Sequence, residues 1–350
     1  MNNISHLVIK NNIESVLLDR SILFNSFLKF HNINNTIVNK YIKFFLEEDL
    51  GYNLFTNLSL EKNINNDILS RDITTMNINT DNKIVKFNIV VKDNNYSNIK
   101  LSGIFFVLYV FKFLDINAEI LYSKKDGDVL QKGDVVLEGI IEDNKILLIE
   151  STILNIIQQL SAVSTQTYHL QENVNNFCKT NNINAIKILE TRKTMLGSRL
   201  LQKYAVFVST NFNHRFGLYD KILIKDNHID SAGGIKNVVE KLYVIKNTNQ
   251  SDILNNIEIE CETEEQILYA VKHHKLFKRI MLDNFNPMEI AKFVKIIKDN
   301  SNLEIEVSGG INKNNILQYC VNGVDFISLG SITHSLSSID FSLNTFDFKK

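Results

Sequence analysis

Residues 213–228 read NHRFGLYDKILIKDNH, which packs two His, one Arg, two Lys and two Asp into sixteen positions of a chain otherwise rich in Asn, Ile, Leu and Lys. Inside this stretch, Lys221-Ile222-Leu223-Ile224-Lys225 has the pattern of a short buried strand. Its last residue is cationic and is followed at once by Asp226, Asn227 and His228. Charges at the end of a buried strand are costly unless a partner or a ligand satisfies them. The stretch therefore predicts a strand whose C-terminal end faces a polar site.

The same rhythm extends on both sides. From Glu150 a long helix, ESTILNIIQQLSAVSTQTYHLQENVNNF, leads into short apolar runs: AIKILE (185–190), KILIK (221–225), IEIEC (257–261), RIMLD (279–283), LEIEVS (303–308) and FISLG (326–330). The amphipathic segments GIKNVVEKLYVIKN, EEQILYAVKHH, PMEIAKFVKIIKD and KNNILQYCVNG fill the later gaps as expected helices. Strand-helix alternation of this kind argues for an α/β architecture with a parallel sheet or a barrel. The strand ends carry Glu190-Thr191-Arg192-Lys193, Lys225, Glu260, Asp283-Asn284, Ser308-Gly309-Gly310 and Gly330-Ser331. In a barrel these ends and their loops build the active site, with phosphate commonly held after the last two strands, whereas a doubly wound sheet gathers its ligand at one switch point. Polar groups at nearly every strand end favour the barrel.

Upstream the pattern differs. Residues 1–46 read as an amphipathic helical lead-in and 51–82 as polar, irregular chain. From 85 onward, VKFNIVVKD alternates like a strand, GIFFVLYVFKFL reads as a buried helix, and AEILYSKKDGDVLQKGDVVLEGIIED reads as strands joined by Gly-Asp turns. The expected organisation is an α+β domain over 1–149, an α/β barrel catalytic domain over 150–335 and a C-terminal segment over 336–350.

With 350 residues and 44% hydrophobic composition, the chain can bury a large core. A net charge of -1 gives no bulk attraction to nucleic acid or an acidic membrane, so any anion site must come from local clustering. Cys178, Cys261 and Cys320 are widely spaced and odd in number, which indicates reduced core residues and neither a disulfide framework nor a zinc site. The N-terminus lacks the pattern of a secretion signal, and no run reaches the roughly 18 apolar residues of a membrane span. The cytoplasm is the expected location.

Three constellations carry chemistry. The Gly-bearing turns at Ser308-Gly309-Gly310 and Gly330-Ser331 free backbone N–H groups for a phosphate, although either alone is explained by an ordinary turn. Arg192, Lys193, His214, Arg215 and Lys225 can neutralise several acidic groups on one small molecule; the competing reading is a solvated surface, disfavoured for Lys225 at the end of an apolar strand. Glu260 and Asp283 can hold Mg²⁺ or accept hydrogen bonds from sugar hydroxyls, or else balance the nearby cations as ion pairs. His214 and His228 lack a zinc-ligand spacing.

These parts resemble the quinolinate phosphoribosyltransferase family from about Glu48-Asp49-Leu50-Gly51 to about Leu343. The resemblance is carried, in order, by ETRKTMLGSRLLQKYAV, NHRFGLYDKILIKDNHI, IEIECET, IMLDNF, EVSGGI and GVDFISLGSITHS. It implies a type II phosphoribosyltransferase-like fold: an N-terminal α/β sandwich-like domain, to which the C-terminal segment returns, and an α/β barrel, assembled as a homodimer or a higher homo-oligomer. The implied reaction joins quinolinate and phosphoribosyl pyrophosphate with Mg²⁺ to give nicotinate mononucleotide, pyrophosphate and CO₂ in NAD biosynthesis. By position, Arg192, His214 and Arg215 would hold quinolinate carboxylates. Lys193 and Lys225 would lie next to pyrophosphate and substrate, and Glu260 and Asp283 would serve ribose hydroxyls and metal, directly or through water. Ser308, Gly309, Gly310, Gly330 and Ser331 would hold the 5′-phosphate. The implied catalytic groups are Lys193, Lys225, Glu260 and Asp283.

The sequence also departs from the family pattern. Ser151 stands where the family has an Arg that reaches quinolinate from the partner subunit, Gln159 replaces a later Arg, Ala162 a Gly and Leu196 a Pro. Ser209-Thr210-Asn211 replaces Gly-Gly-Gly, and Asn53-Leu54 replaces Gly-Asp. The competing expectations are a relative that takes a different acceptor and a catalytically inactive remnant; retention of Lys193, Lys225, Glu260 and Asp283 argues against the second.

Overall fold

A computed structural model describes residues 10–52, 54, 66–78, 82–246 and 256–348. The chain divides into two compact units, one made of residues up to 165 together with 337 onward, the other of residues 166–336. The division falls within one helix, Asp143–Thr180.

The first unit is built on a four-stranded antiparallel sheet. Strands β1 (Ile84–Val91), β2 (Ile99–Lys100), β3 (Glu119–Ser123), β4 (Val129–Leu130) and β5 (Val135–Glu142) precede the long helix, and β12 (Phe341–Asp347) comes from the chain's end. The sheet order is β12-β1-β5-β3, while β2 and β4 form a separate pair. Strict alternation puts Val85, Phe87, Ile89 and Val91 on the buried face of β1, as the sequence predicts. Helix Ile104–Phe113 is apolar except at Tyr109 and Lys112 and is mostly buried. Its start is closed by the Asp126 carboxylate, which accepts the N–H groups of Gly103 (2.7 Å) and Ile104 (2.9 Å).

The lead-in forms helices Ile13–Arg20, Ile22–Phe30 and Ile37–Leu50; residues 1–9 of that expectation lie outside the described residues. The stretch read as irregular, 51–82, contains short helices Asn66–Leu69 and Ile73–Ile78, and 53, 55–65 and 79–81 lie outside the described residues. The long helix starts at Asp143, well before Glu150: the run after Asp143 continues the helical spacing of buried residues through Ile146, Ile149 and Ile153. By length and mean hydropathy this helix could cross a membrane, although it holds no unbroken run of 18 apolar residues, and 61% of its most apolar window is buried within the protein. It is a core helix.

In the second unit all six apolar runs become strands: β6 (Lys187–Leu189), β7 (Leu223–Ile224), β8 (Glu258–Cys261), β9 (Arg279–Asp283), β10 (Glu304–Ser308) and β11 (Phe326–Ser328). They form a parallel sheet in the order β6-β11-β10-β9-β8-β7. The first strand pairs with the last, which is how a sheet wraps round into a barrel, and β6 and β7 stand at the two ends of the ladder. Helices Ile235–Lys246, Glu264–Lys272 and Pro287–Asn300 match the expected segments. KNNILQYCVNG does not become an α-helix; only a 3₁₀ turn, Ile316–Tyr319, forms. Its Asn side chains offer the backbone other partners: Asn315 Oδ1 accepts the Asn312 N–H at 2.8 Å, and Asn312 Oδ1 accepts the Asn314 N–H at 2.9 Å.

Candidate active site

The C-terminal ends of the parallel strands open onto a cavity of about 450 Å³. Arg192, Lys193, His214, Arg215, Lys225, Glu260, Asp283, Ser308, Gly309, Gly310 and Gly330 all line it. Ser331, the first residue of helix Ser331–His334, is not among the lining residues. Thr191 and Asn284, named from the sequence only as strand-end residues, line it as well, as do Met281, Ile311 and Ser328, which were not named from the sequence.

One wall is cationic. Arg215 is buried, its Nη1 donates to the Lys221 carbonyl at 3.3 Å, and its Nε has no hydrogen-bond partner. The buried Nε of Arg192 is likewise without one. Burial, and then the neighbouring Arg192 charge, lower the pKa of Arg215. Two under-satisfied guanidinium groups side by side favour an anion between them. The segment that carries Arg192 and Lys193 is tied down through its carbonyls: Arg199 Nη2 donates to the Arg192 carbonyl (3.2 Å) and the Thr333 hydroxyl to the Lys193 carbonyl (2.7 Å).

The same cavity also carries an acidic pair, Glu260 and Asp283. Lys225 bonds Glu260 through its Nζ, and its backbone N–H donates to His228 Nδ1 at 2.9 Å, so His228 braces the turn that follows β7. Burial raises the pKa of Glu260, the Lys225 ammonium opposes this, and the Asp283 charge adds to it. Asp283 is raised for the same first reason, against Lys225, Ser308 and Lys193. Its Oδ2 also accepts from Asn284 Nδ2 at 2.7 Å. Two carboxylates held short of full compensation are suited to a cation or to hydroxyl donors.

The rim between β9 and β10 explains one glycine. Gly309 has φ +90°, and a Cβ there would come within 2.3 Å of Asn284 Oδ1 and 2.5 Å of Asn284 N. Only glycine lets the two loops close on each other.

Beneath the cavity lies a feature the sequence reading missed. Lys203, fully buried, bonds Glu190 and donates to the His214 carbonyl at 3.1 Å, and Asn213 Nδ2 donates to Glu190 Oε2 at 3.0 Å. His214 Nε2 sits 3.5 Å from both Glu258 and Glu306, while its Nδ1 accepts the Arg215 N–H at 2.8 Å. Burial disfavours a charged ring at His214, but the Glu306 and Glu258 carboxylates outweigh it and raise its pKa. Burial and the Glu306 charge push Glu258 up to about 7. Burial alone would raise Glu306 as well, but His214 and Arg279 hold it below the usual carboxylate range. A signal was present: Glu258 and Glu260, like Glu306 and Ser308, are two apart on one strand and so share its inner face.

Comparison with known proteins places the chain. Residues 163–344 match the model of the quinolinate phosphoribosyl transferase C-terminal domain, and residues 72–161 that of the N-terminal domain. A probable nicotinate-nucleotide pyrophosphorylase (carboxylating) of Bacillus subtilis is 39% identical over 67% of this chain and 75% of its own length. The Methanocaldococcus jannaschii counterpart is 33% identical over 81% of this chain and 95% of its own. The solved structure of the nicotinate-nucleotide pyrophosphorylase from Francisella tularensis superimposes with a TM-score of 0.73 at 32% identity, covering 90% of this chain and 98% of that one.

Proposed function

The chain belongs to the quinolinate phosphoribosyltransferase family, and from that premise we propose that the cavity at its parallel-strand ends is where quinolinate and phosphoribosyl pyrophosphate meet. The chain is a nicotinate-nucleotide pyrophosphorylase of the carboxylating type: it transfers a phosphoribosyl group to quinolinate with decarboxylation, in NAD biosynthesis. The observation that carries the assignment of the site is convergence. A cationic wall, an acidic pair and a glycine turn, spread over more than a hundred residues of sequence, line one cavity.

In this reading Arg192 and Arg215 turn their unfilled N–H groups to the carboxylates of quinolinate. Lys193 and Lys225 stand beside the pyrophosphate and stabilise it as it leaves C1 of the ribose. Glu260 and Asp283 accept from ribose hydroxyls and favour the positive charge that develops on the sugar as the pyridine nitrogen approaches. The backbone at Ser308-Gly309-Gly310 and at Gly330-Ser331 takes the 5′-phosphate. Once joined to the ribose, the ring nitrogen is a cation and accepts the electrons released as CO₂ departs.

The donor set fits Mg²⁺: Glu260 and Asp283 are hard oxygen ligands, raised by burial and incompletely neutralised by Lys225, and Mg²⁺ favours one or two carboxylates together with substrate phosphates. When bound, the ion would neutralise charge on the pyrophosphate. We place the reaction in the cytoplasm, supported by three buried free cysteines, and in a homodimer, supported by the family pattern.

The test is a product assay with purified protein, phosphoribosyl pyrophosphate, Mg²⁺ and either quinolinate or nicotinate. Nicotinate mononucleotide and CO₂ should form from quinolinate and should fall by at least about 100-fold with Lys193→Ala and Glu260→Gln, the usual scale for losing a group that acts on transition-state charge. Turnover of nicotinate in place of quinolinate would reassign the acceptor, and full activity in both variants would move the site elsewhere.

A further inference from the structure

Helix Arg199–Thr210 carries a glutamine that the chemistry above leaves unused. Gln202 is 4% exposed, yet both ends of its amide are bonded: Oε1 accepts the Met195 N–H at 3.0 Å and Nε2 donates to the Thr333 carbonyl at 2.8 Å. Met195 belongs to the loop that carries Arg192 and Lys193, and Thr333 to the single-turn helix Ser331–His334 that follows β11. A carbonyl near the end of a single turn has no partner within its own helix, so the glutamine amide fills a position that the backbone leaves open. Thr333 closes the link: its hydroxyl donates to the Lys193 carbonyl at 2.7 Å and lies 3.1 Å from the Gly330 carbonyl. The Lys193 stem runs against that same glycine, since a Cβ on Gly330 would come within 3.1 Å of Lys193 Cδ.

Packing does little to hold the loop. Met195 is 53% exposed, Leu196 is wholly exposed and Gly197 has φ +78°. Backbone in such a loop keeps one place where its polar groups are bonded, and Gln202 and Thr333 supply those bonds on the Lys193 side. The Arg192 side has a tie of its own, because Arg199 donates to the Arg192 carbonyl and to the Thr194 hydroxyl, each at 3.2 Å. We propose that Gln202 is a positioning residue: acting through Thr333, it fixes the spacing between Lys193 and the Gly330-Ser331 turn. This rests on the reading of the cavity as the phosphoribosyl pyrophosphate site. That molecule is anionic at both ends, with pyrophosphate beside Lys193 and the 5′-phosphate at the turn, so the two anchors must stand one ligand's length apart. A displacement of about 1 Å in a substrate-orienting group can cost on the order of 100-fold in rate.

Gln202→Met keeps the length of the side chain and removes both bonds. Steady-state kinetics on the full chain should show the phosphoribosyl pyrophosphate KM raised roughly ten- to hundredfold, with the quinolinate KM within about twofold of wild type because Arg199 still holds Arg192. From the other end, Thr333→Val keeps the branched shape without the hydroxyl and should give the same selective rise. Thr333→Ser, which keeps the hydroxyl, should return the KM close to the wild-type value. Because both changes act on one link, the double variant Gln202→Met/Thr333→Val should raise that KM by no more than about twofold beyond the larger single change. Amide hydrogen exchange at Met195, read without substrate, should be faster by at least about tenfold in Gln202→Met. The proposal fails if Gln202→Met leaves the phosphoribosyl pyrophosphate KM unchanged, if both KM values rise together, or if the two changes multiply in the double variant. Should Gln202→Met misfold, the Thr333 pair carries the test, and equal KM values in Thr333→Val and wild type overturn the link. If the wild type makes no product from quinolinate, the acceptor reading fails and calorimetric titration with phosphoribosyl pyrophosphate and Mg²⁺ decides instead. Binding at least about tenfold weaker in Gln202→Met then supports the link, whereas equal binding, or none to the wild type, overturns it.

Discussion

The two units have opposite interiors. In the first, Phe24 stacks on Phe105 with centroids 4.5 Å apart and meets Phe106 edge-on at 5.0 Å, both from the largely apolar helix Ile104–Phe113. In the second, the inside of the parallel sheet encloses Glu190, Lys203, His214, Glu258 and Glu306, all buried. Apolar packing requires volume of about the right shape, which several side chains can supply. A buried charge requires one particular partner, since its loss strands the other charge away from water. The sheet interior is thus the less replaceable of the two, and it is the one that adjoins the cavity, whose wall His214 shares.

The largest expected effect tests that difference directly. Lys203→Met keeps the length of the side chain but leaves the Glu190 charge with Asn213 as its remaining bonded partner, so we expect a loss of about 3–5 kcal/mol in urea denaturation. Adding Glu190→Gln removes the stranded charge and should return most of that stability. A double variant as unstable as the single would place the loss in packing and dissolve the contrast between the interiors.

How much of this was legible in the sequence follows from the same contrast. The six strands of the second unit were readable because buried parallel strands are short apolar runs, and the residues just beyond them announced the cavity. Arg192, Lys225, Glu260 and Asp283 each stand where a run ends or nearly ends, and all four line it. The cluster below was not read: period-two spacing puts Glu258 and Glu306 on inner strand faces, but only register shows that they and Arg279 meet around His214, more than 40 residues upstream of the nearest. The start of the long helix was missed for a local reason: the residues after Asp143 are apolar enough to extend the preceding strand, and only the helical spacing of Ile146, Ile149 and Ile153 distinguishes the two.

A middle-sized effect is expected where the first unit contributes a surface position to the comparison. The cations on the cavity wall all belong to the second unit, and Ser151, exposed on the long helix, stands where the family pattern has an Arg. A charged hydrogen bond to a carboxylate contributes roughly 1.5–3 kcal/mol, so Ser151→Arg should lower the quinolinate KM about ten- to hundredfold with little change in stability. An unchanged KM would mean that Arg192 and Arg215 suffice for both carboxylates.

The smallest effect completes the comparison. Phe106 is fully buried between aromatic neighbours, and Phe106→Leu exchanges one apolar side chain for another of nearly equal size. Shape-conserving swaps in an apolar core usually cost less than about 1.5 kcal/mol, because the neighbours repack around the new side chain and no polar group is stranded. Measured beside Lys203→Met, an equally shape-conserving change, it should cost less than half as much and leave both KM values where they were. A loss of 3 kcal/mol or more would mean that the aromatic cluster is as particular about its members as the buried ion pairs, and that the two interiors differ in chemistry but not in tolerance.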